Sequence, residues 1–167
     1  MISMDIVSLE CSQNYYERLA EAKTHAELAE QYKNKVFWDD KELLVWNNQP
    51  RKHRFEYFVA IELFKRYKYL SLVEKYGGHG KETHSMKRDM VQRVAGVEIR
   101  KILDKTGGKN AQCPDLFVFT EDMRDWCFVE VKGPKDSLRP EQKKAFDSLS
   151  MLTGKPCHLM TVKLVSE

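Results

Sequence analysis

The chain has 167 residues, 42% hydrophobic and 32% charged, with 28 Lys and Arg against 25 Asp and Glu. That is the size of one domain with one substantial core, and the composition excludes a disordered chain. No apolar run approaches the roughly 18 residues of a membrane span, and a net charge of +3 permits nucleic acid as a partner without arguing for it.

Cys11, Cys113, Cys127 and Cys157 form no CxxC pair, which points to reduced thiols and away from a disulfide framework or a zinc site. Asp5 and Glu10 interrupt any signal-peptide pattern, so a cytoplasmic location is expected. Ser12–Lys35 reads as one helix, capped by Ser12, with Tyr15, Leu19, Ala22, Ala26 and Ala29 at three- and four-residue steps. Val36–Pro50 is short and rich in aromatics, and Asn47, Asn48 and Pro50 mark a loop. Residues 1–50 are therefore expected to form a helical, aromatic extension packed on a domain spanning 51–167.

A second helix is predicted from about Arg54 to Tyr69, apolar on most sides through Phe55, Phe58, Val59, Ile61, Leu63, Phe64 and Tyr67. Gly77, Gly78 and Gly80 then break the chain. Ser85–Lys105 carries a helical stripe ending at Gly107 and Gly108, with Gly96 either inside the helix or breaking it before a strand from Val97. Leu116–Thr120 and Trp126–Lys132 are β-prone runs joined by a short polar connection, and read as adjacent antiparallel strands. Ser137–Thr153 is a helix with Pro140 in its first turn and Phe146, Leu149 and Leu152 on its apolar face. Gly154 and Pro156 end it before a last strand, Cys157–Val165.

The chemistry gathers in the C-terminal third. Strand alternation puts Glu130 and Lys132 on one face and Val131 on the other, an arrangement that by itself is an ordinary ion pair. Asp115 opens the preceding strand, where a hairpin lays it beside Glu130. Two adjacent carboxylates repel and call for a cation between them. Oxygen ligands with no His or Cys close by favour Mg²⁺, to which the Val131 carbonyl could add a further oxygen. The Lys132 ammonium could orient an attacking water or stabilise charge developing on a phosphate, which suits phosphodiester hydrolysis.

Pro114-Asp115, fourteen residues, then Glu130-Val131-Lys132 resembles the PD-(D/E)XK nuclease superfamily. The continuation Gly133-Pro134-Lys135-Asp136-Ser137-Leu138, followed by Gln142, is similar to the VRR-NUC family within it. The resemblance covers about residues 110–160. It implies a restriction-endonuclease-like α/β fold, a mixed central sheet flanked by helices, and metal-dependent hydrolysis of DNA, with branched or flap DNA as candidate substrates. It further implies Asp115 and Glu130 as metal ligands, Lys132 as the catalytic lysine and Gln142 at the active-site edge. Mg²⁺ is the implied ion, with Mn²⁺ as its substitute.

The superfamily often adds a glutamate from the first core helix, here Glu56 or Glu62. Glu56 shares a face with Val59, Ala60 and Leu63, whereas Glu62 has Arg66 one turn on, so Glu56 is the expected metal-facing residue. The superfamily also expects a strand before Pro114-Asp115, which an all-helical Ser85–Lys105 does not supply.

Arg51-Lys52-His53-Arg54 and Lys65-Arg66-Tyr67-Lys68 offer either phosphate contacts or solvated helix ends. His53, His79 and His84 are too loosely spaced for a metal site, and the tryptophans read as packing residues. Phe37, Trp38, Leu43, Leu44, Val45 and Trp46 either dock a partner or a second copy, giving a homodimer, or cover their own chain's sheet. Two other readings stand beside the nuclease: a nucleic-acid-binding module that cleaves little, and a partner-dependent subunit of a repair or restriction complex. An intact acid-acid-lysine set weighs against the first, because clustered negative charge repels phosphates.

Overall fold

The computed structural model describes residues 2–4, 6–77, 85–106 and 113–167. It is a mixed α/β structure built on a five-stranded sheet. In chain order the elements are β1 (Ser8–Ser12), α1 (Gln13–Arg18), α2 (Ala22–Gln31), α3 (Asp40–Asn48), α4 (Arg54–Tyr67), β2 (Leu70–Val73), α5 (Ser85–Ala95), α6 (Val97–Thr106), β3 (Leu116–Phe119), β4 (Trp126–Lys132), α7 (Pro140–Thr153) and β5 (Cys157–Val165). The sheet order is β1-β5-β4-β3-β2. β1, β5 and β4 run parallel, and β3 is antiparallel to both β4 and β2. The restriction-endonuclease-like architecture expected from the sequence is present.

Two apolar layers cover the sheet, and strand alternation assigns residues to each. Leu116, Val118, Cys127, Val129 and Val131 pack with α4 and the elements before it. Phe117, Phe119, Trp126 and Phe128 face the other way, against Met90, Val91, Leu103 and Leu149 of α5, α6 and α7. Every residue of β3 and β4 is buried, as a central strand covered on both faces requires. Each fully buried aromatic here contributes about 1.5–3 kcal/mol of transfer free energy.

The predicted helix over Ser12–Lys35 is two helices preceded by a strand. Ser12 does cap, its Oγ accepting from Tyr15 N at 3.1 Å. The helix stops at Leu19, however, whose side chain is fully buried and whose carbonyl lies 2.7 Å from His25 Nε2. Tertiary packing thus interrupts a pattern that contains no Gly or Pro there. β1, which the periodicity did not suggest, pairs with β5 from Ser8↔Thr161 to Ser12↔Val165.

Gly96 breaks the next predicted helix with φ +97°, a left-handed turn a glycine adopts without steric strain. Both sides stay helical, so the alternative strand from Val97 does not form. The strand the superfamily calls for is β2, paired with β3. Leu116–Phe119 and Trp126–Lys132 pair antiparallel as predicted. On α7, Phe146 and Leu149 are buried but Leu152 is 65% exposed, so the apolar face is one turn shorter than expected.

Of the aromatics before α4, Tyr32, Phe37 and Trp46 are buried. His25, Trp46, Tyr57 and Phe37 stack in series, with centroids 3.8, 4.3 and 4.8 Å apart. Trp38 Nε1 donates to the Ser71 carbonyl at 2.8 Å. Of the proposed docking segment, only Leu44 and Val45 are exposed large hydrophobics. The four cysteines are free thiols, and burial is the main cause that pushes Cys113, Cys127 and Cys157 up to about 12. Among the described residues no helix is long and apolar enough to cross a membrane. Gly78, Gly80, His79, His84, Gly107 and Gly108 lie outside the described residues.

Candidate active site

β2 and β4 run in the same direction, so Glu74, just past β2, and Glu130–Lys132, ending β4, emerge at one edge of the sheet. Asp115, just ahead of the antiparallel β3, joins them, and α4 and α7 begin there. Clefts at the carboxyl ends of strands, faced by helix N-termini, are where α/β folds bind anionic ligands. A cleft of about 500 Å³ occupies this edge, lined among others by Glu56, Glu74, Asp115, Glu130, Val131, Lys132 and Gln142.

The hairpin lays Asp115 against Glu130 through reciprocal bonds. Asp115 N donates to Glu130 Oε2 at 3.1 Å, and Val131 N donates to Asp115 Oδ2 at 2.8 Å. Tyr76, buried beneath, donates its hydroxyl to the Pro114 carbonyl and fixes the entry to β3. Lys132 Nζ lies 3.1 Å from Glu130 Oε1, completing the ion pair that strand alternation predicts. It also donates to Gln142 Oε1 at 3.2 Å. That amide oxygen in turn accepts from Arg139 N at 3.3 Å, at the start of α7, so the helix terminus and the lysine share one acceptor. Gly133 follows with no room for a side chain, because a Cβ there would stand 2.6 Å from the Phe55 ring.

The two candidate glutamates of α4 are separated by the fold. Glu56 lines the cleft. Glu62 lies away from it, 3.4 Å from both Lys65 Nζ and Arg66 Nε. Burial, and then the Glu74 and Glu130 charges, push the Glu56 carboxyl up to about 7. Asp115 goes further, to about 9, raised first by burial and then by Glu130, Glu56 and Glu74. The site therefore resists holding all its charge without a cation.

Two residues escaped the sequence reading. Glu74 lies in the same cleft, and His53 Nδ1 stands 3.2 Å from its Oε1. Judged by spacing to the other histidines, His53 offered no signal; its neighbours are acids from α4 and the end of β2. The basic run at the start of α4 is divided: Arg51 and Lys52 are exposed, as a solvated helix end would be, but Arg54 is not. Arg54 is buried, its guanidinium 3.6 Å above the Tyr16 ring and bonded to the Tyr16 hydroxyl at 2.6 Å.

No curated protein and no solved structure matches the chain. Residues 54–163 match the VRR-NUC domain, a stretch that takes in α4, the whole Asp115–Glu130–Lys132 constellation and Gln142. The chain belongs to the VRR-NUC family, a nuclease domain family of the PD-(D/E)XK superfamily.

Proposed function

We propose that the chain is a divalent-metal-dependent nuclease that hydrolyses DNA phosphodiesters in the cleft at the end of β4, with Mg²⁺ as its ion and Mn²⁺ as the substitute. The observation that carries this reading is the convergence on Glu130 of the Asp115 amide, at 3.1 Å from one carboxylate oxygen, and the Lys132 ammonium, at 3.1 Å from the other. The donor set fits such an ion. Asp115, Glu130 and Glu56 supply carboxylate oxygens, the Val131 carbonyl is a fourth oxygen at the same wall, and the raised carboxyls of Asp115 and Glu56 are what a divalent cation relieves. When bound, the ion supplies Lewis-acid polarisation of the phosphate and positive charge against its developing negative charge.

The chain's own groups do the rest. Asp115, held by the Val131 amide, and Glu130, held by the Asp115 amide, are pre-oriented and need no rearrangement when substrate arrives. Lys132, positioned by Gln142, can orient the attacking water and stabilise charge on the phosphate. Lys75 and Arg139 line the same cleft and can hold flanking phosphates of the strand. Binding without cleavage is the weaker reading, since carboxylates this close repel a phosphodiester unless a cation is present.

Coordinated cutting of two strands needs two copies, and a second copy would meet Leu44 and Val45 of α3. Sedimentation with and without branched DNA reads this out. The decisive experiment is a cleavage panel of branched, flap, duplex and single-stranded DNA with Mg²⁺ and with Mn²⁺. It compares the full chain with Asp115→Ala, Glu130→Ala and Lys132→Ala. Each variant is expected to lose at least ~10² in rate while keeping its circular dichroism spectrum. Full activity in a folded Glu130→Ala protein would refute the assignment.

A further inference from the structure

Glu56 has two sets of neighbours. The charges of Asp115 and Glu130 bear on it, and His53 and Glu74 lie beside it. One ligand atom from each of His53, Glu56 and Glu74 lies within 4.8 Å of the other two. A cation bound at about 2.1 Å holds its ligand atoms roughly 3–4.2 Å apart, so only a small closure separates this trio from a coordination set.

The positions of the trio are set from outside it. Glu74 N donates to the Asp115 carbonyl at 2.9 Å. Lys87, buried behind β2, donates to the carbonyls of Val73 and Glu74 at 2.6 and 3.1 Å. His53 stands at the N-cap of α4, where Ser, Asp or Asn would bond the free amides. Its imidazole makes no such bond and turns to Glu74 instead.

A simple His53–Glu74 ion pair does not account for Glu56. Among the described residues, the Glu56 carboxylate accepts only from its own amide N–H. Lys132 is already engaged with Glu130 and Gln142. A half-buried carboxylate that lines the cleft beside three further acids, and takes no donor from another residue, has the surroundings of a cation ligand.

We infer that His53, Glu56 and Glu74 form a second cation subsite, for a first-row divalent transition ion, that shares Glu56 with the Asp115–Glu130 site. The imidazole sets the selectivity: nitrogen ligands suit transition ions, whereas Mg²⁺ prefers all-oxygen surroundings. Mg²⁺ in excess therefore occupies the carboxylate site without competing here, and Mn²⁺, which accepts oxygen and imidazole ligands alike, serves as the probe. The inference rests on the proposed nuclease reading for the role of Asp115 and Glu130, and on the geometry alone for the subsite.

The test titrates Mn²⁺ into the full chain in excess Mg²⁺ and follows it by electron paramagnetic resonance, reading ¹⁴N coupling by spin-echo modulation. One Mn²⁺ with imidazole coupling is expected. His53→Gln should abolish the coupling and weaken binding at least ~10-fold, and Glu74→Gln should weaken it comparably while keeping the coupling of what still binds. Asp115→Asn should leave the coupled Mn²⁺ in place. The subsite is refuted if the wild-type signal shows no ¹⁴N coupling, or if coupling persists in His53→Gln. Should His53→Gln not fold, an unchanged affinity in folded Glu74→Gln refutes it equally. Cleavage that survives Asp115→Asn overturns the nuclease reading at that site and leaves the subsite standing, so the two failures are separable.

Discussion

Replacing Asp115 by asparagine should make the metal-free protein more stable while abolishing cleavage. The Asp115 carboxyl is raised from 3.8 to about 9, first by burial and then by Glu130, Glu56 and Glu74. A raised folded-state pKa means that the stability of the protonated form is fully present below about pH 4. It is lost progressively as pH climbs towards 9. Nearly four pH units separate the unfolded-state value from pH 7.5, and at ~1.4 kcal/mol each the whole strain is on the order of 5 kcal/mol. Asp115 shares that repulsion with the other carboxylates, so removing one charge should return about 2–3 kcal/mol. The asparagine carbonyl can still accept from Val131 N, so no bond need be lost. For a chain of this length that is a rise of roughly 4–12 °C in Tm. Thermal unfolding in EDTA at pH 5, 7 and 8.5 reads it out, and the gap between variant and wild type should widen with pH. Saturating Mn²⁺ should close the gap, because the ion stabilises the wild type by about 2.7 kcal/mol at a hundred times its Kd. A variant no more stable than wild type in EDTA at pH 8.5, or a gap independent of pH, would refute the reasoning.

Three further outcomes are expected. Lys87→Met leaves the buried Glu42 carboxylate without the ammonium 3.4 Å away and strips donors from Val73 and Glu74, so urea unfolding should show a loss of about 3–5 kcal/mol. Adding Glu42→Gln should recover part of that loss; a single variant within ~1 kcal/mol of wild type would contradict the buried pair. Gly133→Ala drives a Cβ into the Phe55 ring, which stacks on Tyr16 at 4.8 Å, so a loss of about 1–3 kcal/mol and weaker Mn²⁺ binding through the adjacent Glu56 are expected by calorimetry. Gln142→Ala frees Lys132 from its second acceptor and should lower kcat ~10-fold with KM for DNA unchanged; equal kcat in Gln142→Ala would remove it as a positioning residue.

Where the residues carrying an element also carry its reason, the sequence was readable. β3 and β4 are short β-prone runs with a polar turn between them, and α7 opens with Pro140 and closes with Gly154 at φ +71°. Asp115, Glu130 and Lys132 could be placed together because one hairpin register fixes all three. β1 was missed although Leu9 and Cys11 alternate inward about Glu10, because Ser12 both ends the strand and caps α1, and the helical period begins at once. The break after α1 has no local signal at all, only the burial of Leu19. Glu74 and His53 were invisible for the same kind of reason. They lie 21 positions apart and reach each other through left-handed backbones, φ 48° and 65°, that no residue type there announces. Glu56 was legible by a different route: a carboxylate on a helical face otherwise made of Val59, Ala60 and Leu63 needs a polar destination.

The family match begins at residue 54, yet two walls of the cleft depend on residues before it. The N-terminal end of α4, which carries His53 and Glu56, is pinned where Arg54 rests on Tyr16 of α1. Further along, Tyr57 is bonded to Glu42 of α3 at 2.9 Å and stacked on Phe37. The far end of β2 is pinned by Lys87, whose ammonium is held at Glu42 as well. Glu42 is thus the point where α3, α4 and α5 meet, and its carboxyl is raised by burial and lowered by Lys87, Trp38 N–H and Tyr57 in return. A buried charge with one acid-base partner and two hydrogen-bond donors specifies its neighbours' positions more sharply than apolar contact would, because any displacement leaves it unpaired. Those neighbours are the helix that carries Glu56 and the strand end that carries Glu74. The geometry of the acidic cleft is therefore set in part by the Glu42 carboxylate, in the first turn of a helix that precedes the matched residues.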